Sequence, residues 1–231
     1  DRTHYFASWE QTRQVTSSTV LQTVPDQRQR AGDFSGLVDS QGRAITIYDP
    51  ATTAGRDRQP FAGNQIPVSR FDPVARSALN YWPLPNRGAT ATGASNYAAS
   101  NNSSLNRDIF VAKVDHQFRV RDQLSVRYYL NDSDIANRGA FGIPESDPDA
   151  FLQNARIQSI LGSHTHTFRP NLINEFRATY LRRRFIDGRY GAGEDLAGKL
   201  GLNGVSKAGF PTFVLPGYTG LKGLTNVSHT Q

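Results

Sequence analysis

The chain has no cysteine and no methionine among its 231 residues. The first absence excludes a disulfide framework and a thiolate metal site, without fixing the compartment. The second includes the initiator, so the sequence is expected to begin downstream of a translation start. Hydrophobic residues make up only 37%, little for a chain that must bury a sizeable core. No apolar run approaches the ~18 residues that a transmembrane helix needs. No signal-peptide pattern opens the sequence, and any export is expected to be directed by residues outside it. The length suits one large domain or two small ones.

Catalytic constellations are also missing. Gly32-Asp33-Phe34-Ser35-Gly36 is not a nucleophile elbow, which needs serine central between the glycines; it reads as a turn whose Asp and Ser bond the backbone. Gly191-Ala192-Gly193 opens a short helix but lacks the strand and lysine of a phosphate loop. His164 and His166 stand two apart, which on a strand places both rings on one face. They could seed a metal site, for which His116 and Asp115 are the only obvious third ligands, and paired surface or lumen histidines without metal are the favoured reading. Glu145, Asp147 and Asp149 lack the glycine and terminal Glu of an EF-hand, and Pro144 and Pro148 suggest a solvated turn. Asp132 and Asp134 read as loop solubilisers. No cofactor is expected, and the chain does not read as an enzyme.

The charge balance is basic, +6 with a pI near 9.8. The arginines are scattered, at Arg56, Arg58, Arg70, Arg76, Arg87, Arg119 and Arg121 among others. Only Arg182-Arg183-Arg184 forms a run. Nucleic-acid binders concentrate charge on one face and carry a recognisable module, and none is present here.

What is present falls into two kinds of segment. From Gly32 to Asn86 the sequence has little regular periodicity, yet it carries Phe34, Ile45, Ile47, Tyr48, Phe61, Ile66, Phe71, Leu79, Tyr81 and Trp82. That is too apolar for a disordered linker, and predicts an ordered loop stapled by its own aromatics. One helix is legible inside it. Asp72 suits the N-cap and Pro73 the first helical position, with Val74, Ala75, Ala78 and Leu79 at helical spacing before Pro83 stops it. A second short helix is expected over Glu194–Leu200, closed by Gly201.

The other kind is period-two alternation. Over Asp108–Phe118, Phe110, Ala112, Val114, His116 and Phe118 share one face, opposite Val111, Lys113, Asp115 and Gln117. The run is about the length of a tilted strand that crosses a bilayer. After a turn at Val120-Arg121-Asp122, Leu124, Val126, Tyr128 and Leu130 oppose Ser125, Arg127 and Tyr129. A second hairpin has a weaker strand over Arg156–Phe168 and a turn at Arg169-Pro170-Asn171. In its return strand Leu172, Phe176, Ala178 and Tyr180 oppose Glu175, Arg177 and Thr179. Further strands are expected at Tyr5–Glu10 and beyond Gly217. Short turns at one end alternate with long connections at the other, the asymmetry of outer-membrane strands with short periplasmic turns.

The segments GDFSG, IYDPATT, PFAGNQIP, SRFDPVARSALNYWPLPN and FRPNLINEFRATYLR resemble the barrel of Oar-like TonB-dependent transporters, from Tyr5 to about Tyr218. That resemblance implies a mainly β fold: an antiparallel meander forming part of a transmembrane β-barrel in the bacterial outer membrane, with long extracellular loops and short helices in them. It implies a layout over residues 1–231 with a first extracellular loop at 11–105, hairpins at 107–131 and 156–183, and a loop region at 184–231. The family's N-terminal plug is not recognisable, so the chain is expected to be a fragment that cannot close alone. The implied activity is energised uptake of a large or scarce substrate, with outer-membrane lipid and the TonB complex as partners and no nucleic acid. Lys113, Asp115, Arg127, Glu175 and Arg177 are then candidates to line the lumen. Tyr81 and Trp82, with Tyr48 and Phe61, are candidates for ligand contact or loop packing. Some arginines are expected to be solvated or to face lipopolysaccharide phosphates. Two other classes stay open: a soluble or surface β-rich module binding peptide or glycan, and a metal-dependent hydrolase built on His164 and His166.

Overall fold

A computed structural model describes residues 2–52, 57–88, 93–223 and, for the backbone alone, 228–230. Thr53 of the IYDPATT segment and Arg56 lie outside the described residues. Five long strands dominate: β1 (Thr3–Gln22), β2 (Tyr97–Arg119), β3 (Asp122–Asn137), β4 (Phe151–Arg169) and β5 (Leu172–Gly188), with a short β6 (Ser228–Thr230). They form one antiparallel meander in the order β1-β2-β3-β4-β5-β6. Three short α-helices, α1 (Gln27–Arg30), α2 (Pro73–Leu79) and α3 (Leu196–Lys199), lie in the connections.

The sheet corrects the expected barrel. β1 and β6 occupy opposite edges, and no pairing among the described residues joins them. The chain therefore forms an open sheet and not a transmembrane β-barrel. The physical reason is strand number, since single-chain bacterial barrels begin at about eight strands. The strands themselves overrun the alternating runs. β1 continues twelve residues past Glu10 to Gln22, and β2 starts at Tyr97. Their partner sides are polar there, with Thr16, Ser17 and Ser18 opposite Ser103, Asn102 and Asn101. Backbone pairing alone extends the sheet where no hydrophobic alternation marks it.

Register fixes the two faces. Phe110 pairs with Leu130, Ala112 with Tyr128 and Val114 with Val126, and Ile160 lies between Tyr128 and Tyr180. With Tyr5, Ala7 and Trp9 on β1, these side chains make an apolar band about ten residues deep per strand. Many are exposed, among them Tyr5, Trp9, Val114, Phe176 and Tyr180. At the short-turn end the band closes with His116 edge-on to Phe118, 4.5 Å between centroids, and His166 edge-on to Phe168 at 4.4 Å. Toward the long connections it ends on Asp108, Asp132, Arg156 and Arg184. Asp132 and Asp134 are therefore strand residues: Asp132 pairs with Arg156, and Asp134 accepts from Asn154 at 2.7 Å.

The core sits outside the sheet. Val24, Ala78, Trp82, Phe141, Leu196, Leu200, Phe210 and Leu221 form one buried cluster, drawn from all three long connections. These fold together into a cap over one end of the sheet.

Candidate functional site

The cap is built from the sequence segments that looked like loops. At its first helix Asp72 is the N-cap, accepting from Val74 N at 2.8 Å and Ala75 N at 3.0 Å. Asn64, at φ 58, knits three segments. Its amide donates to the Phe34 and Ile45 carbonyls, both at 2.8 Å, and its oxygen accepts from Ile47 N at 2.6 Å. Gly32 is forced by its surroundings: at φ +88, a Cβ would stand 2.3 Å from the Ile66 carbonyl oxygen. Asp33 accepts from Ser35 N at 3.0 Å and from Arg28, as a turn-bonding Asp should. The Ser35 and Arg28 hydrogen bonds hold its pKa down at about 2.

The second and third connections close on the first. Trp82 is buried and donates its indole N–H to the Thr219 carbonyl at 2.7 Å. Tyr81 packs against Phe210 with the rings tilted and their centroids 4.6 Å apart. The staples of the first loop thus come from a segment about 137 residues away. Arg30 donates to the carbonyls of Pro25, Leu79, Trp82 and Pro83 at 2.7 to 3.0 Å. Asp147 is fully buried, not solvated, and accepts from the backbone N–H groups of Ala140, Phe141 and Asp149 at 2.6 to 2.8 Å. Its neighbour Asp149 has a raised pKa, mainly through burial and then through the Asp147 charge.

A cleft of about 260 Å³ opens in this cap, lined almost wholly by apolar groups including Phe34, Ile66, Phe71, Leu79 and Leu215. Arg30, Arg70, Arg76 and Tyr218 reach its wall. Burial raises the Tyr218 pKa and lowers that of Arg30, with Asp26 acting on both. Arg70 is held in a two-pronged pair by Asp49, at 2.6 and 2.9 Å, and its guanidinium carbon lies 6.0 Å from the Phe61 ring centroid. An apolar hollow with a few aimed polar groups is the usual form of a small-ligand site. The sequence did not reveal it, because its walls come from the first and third connections. The one signal was the apolar face of α2, through Ala75 and Leu79.

The five charged candidates fall on one sheet face, opposite the apolar band. Lys113 and Arg127 are direct cross-strand neighbours. Asp115, Ser125, Ser163 and Arg177 form one row across four strands. Lys113 bridges Asp115 at 2.8 Å and Arg177 bridges Glu175 at 2.7 Å. All five lie toward the short turns, far along the strands from the cap cleft. Of the aromatic candidates, Trp82 and Tyr81 are packing residues of the cap, while Tyr48 is half-exposed. His164 and His166 lie on the apolar face and share the Asp122 carboxylate, at 3.5 and 2.6 Å. Neither His116 nor Asp115 completes a ligand set, and among the described residues no group of three or more His, Cys, Asp or Glu could hold a metal ion.

A family model described as an outer membrane beta barrel domain matches residues 1–231. The chain belongs to that family. It is an outer-membrane protein. Comparison with curated proteins and with solved structures finds no match.

Proposed function

We propose, with membership of that outer-membrane family as the premise, that the chain serves energised uptake as part of an Oar-like TonB-dependent transporter. The observation that carries the reading is the division of labour along the sheet: an apolar face, a charged face, and a folded cap at one end. The apolar face lies against outer-membrane lipid. Its band of Tyr5, Trp9, Phe110, Val114, Tyr128 and Tyr180 is as deep as the hydrocarbon layer requires, with aromatics at its short-turn border. The short turns point to the periplasm and the cap to the exterior, as is general for outer-membrane strands. The cap captures substrate, and Lys113, Asp115, Arg127, Glu175 and Arg177 lie along its route. Uptake draws on the inner-membrane proton gradient through the TonB complex, and no residue is assigned to that contact.

The direct test compares cells that make the transporter with cells that lack it. Accumulation of candidate substrates should differ between them, and the difference should vanish when a protonophore collapses the proton gradient. A difference that survives the protonophore would rule out energised uptake. The apolar cleft favours one further reading, a surface module that binds its ligand without transporting it. Ligand bound to intact cells but never found in the periplasm would select that reading.

A further inference from the structure

The three-arginine run at 182–184 is divided by the pleat. Arg182 and Arg184 lie opposite Gln158 and Arg156 on the apolar-band face, whereas Arg183, opposite Ile157, belongs to the other face. Arg156, Gln158, Arg182 and Arg184 line a recess of about 110 Å³. It begins one row beyond Tyr128, Ile160 and Tyr180, where the apolar band ends on the cap side. Gln158 is tied into that boundary, donating to the Tyr128 hydroxyl at 2.9 Å.

Charge at this level is unevenly matched. Arg13 bridges Asp108 at 2.8 Å, Arg156 bridges Asp132, and Asp134 accepts from Asn154. Arg182 and Arg184 are exposed, and no carboxylate pairs with either among the described residues. Two guanidinium groups thus face outward, unneutralised, at the edge of an apolar surface. In a bilayer, phosphates of lipid headgroups occupy that level, just outside the acyl chains. A guanidinium fork matches phosphate oxygens in geometry and charge.

We propose that Arg182 and Arg184, with Arg156 and Gln158, bind the phosphate of an outer-leaflet lipid headgroup. The site presupposes the lipid-facing role of the apolar face described above. The acyl chains of the bound lipid lie down over Ile160 and Tyr180, and the pair Arg156–Asp132 fixes the cap-side wall of the recess.

The full chain is to be floated with vesicles of phosphatidylcholine, with and without lipid A as the source of phosphomonoester. Lipid A should tighten binding by about tenfold, the scale of one to two arginines at a charged membrane surface. The double variant R182Q/R184Q should lose that increment and keep its binding to phosphatidylcholine, while R183Q should behave as the parent. Far-UV circular dichroism confirms that each variant retains its β structure. Binding to both vesicles with equal affinity would overturn the phosphate site and leave the lipid-facing reading intact. Binding to neither would overturn both. An increment lost equally in R183Q would show diffuse charge attraction in place of a site. Millimolar inorganic phosphate at constant ionic strength should compete with lipid A for this site, whereas phosphate that binds the protein when lipid A gives no increment would show a site for free phosphate and would also overturn the proposal.

Discussion

The sheet and the cap solve the hydrophobic problem in opposite ways. Every buried apolar residue among those described lies in the connections, from Val24 through Trp82 and Phe141 to Leu221. The strands keep their large side chains outside, with Tyr5 at 87% and Trp9 at 67% exposure. Burial of a cap core of this kind stabilises by about 1.5–3 kcal/mol for each large side chain. The sheet gains no such term from its own protein and depends on backbone pairing and on whatever covers its apolar face. The low hydrophobic content therefore does not mark a weakly folded chain. It reflects an apolar inventory divided between a conventional core and an exposed apolar face of the sheet.

Breaking the cap core should separate the two halves most clearly. Trp82→Ala removes the central indole and the bond to Thr219, and is expected to cost the cap about 3–5 kcal/mol. Protease cleavage within residues 57–88 should accelerate while the far-UV β signal persists. If both are lost together, cap and sheet fold as one unit.

The reverse experiment targets the sheet. Val114→Arg, in the middle of the apolar band, should cost about 2–4 kcal/mol in lipid. In aqueous buffer an exposed site of this kind should change by no more than about 0.5 kcal/mol. Unfolding of parent and variant in buffer and in lipid vesicles reads that difference, and equal effects in both would mean that the face does not meet lipid.

A smaller change is expected at the α2 cap. Asp72→Ala leaves Val74 N and Ala75 N without their acceptor and should lower cap stability by about 1 kcal/mol. A thermal melt followed by near-UV dichroism of the cap aromatics would detect it.

Acid sharpens the contrast most gently. The Asp33 pKa is depressed to about 2 by Ser35 and Arg28, and Arg70 together with Ala51 N lowers that of Asp49. A carboxyl whose folded pKa lies below its unfolded value adds stability above the unfolded value and loses it as pH falls through the folded one. The first connection should hold its structure down to about pH 4 and loosen toward pH 2, seen as rising protease sensitivity around Asp33 and Asp49. Asp149, with a raised pKa, acts in the opposite sense.

Parts of this architecture were legible from short-range pattern. The central portions of β2, β3 and β5 follow from alternation of Phe110, Val114, Val126 and Tyr180 with Lys113, Arg127 and Arg177. The α2 cap follows from Asp72-Pro73. β1 beyond Glu10 was not legible, because Thr12 to Thr19 carry no alternating hydrophobicity and are held by pairing with β2 alone. The cap cleft was hidden as well, since Phe34 and Leu215 line it together across a separation that no local window spans.

The sequence by itself determined the two-sided strands, the N-capped helix and the short turns, because pleat, capping and turn geometry act between residues a few positions apart. Only the tertiary structure decided that Trp82 is core, that Asp147 is buried, and that Arg182 and Arg184 share a recess with Arg156 and Gln158. Each of those depends on register or on contacts between distant segments, and neither is encoded in any single stretch of the chain.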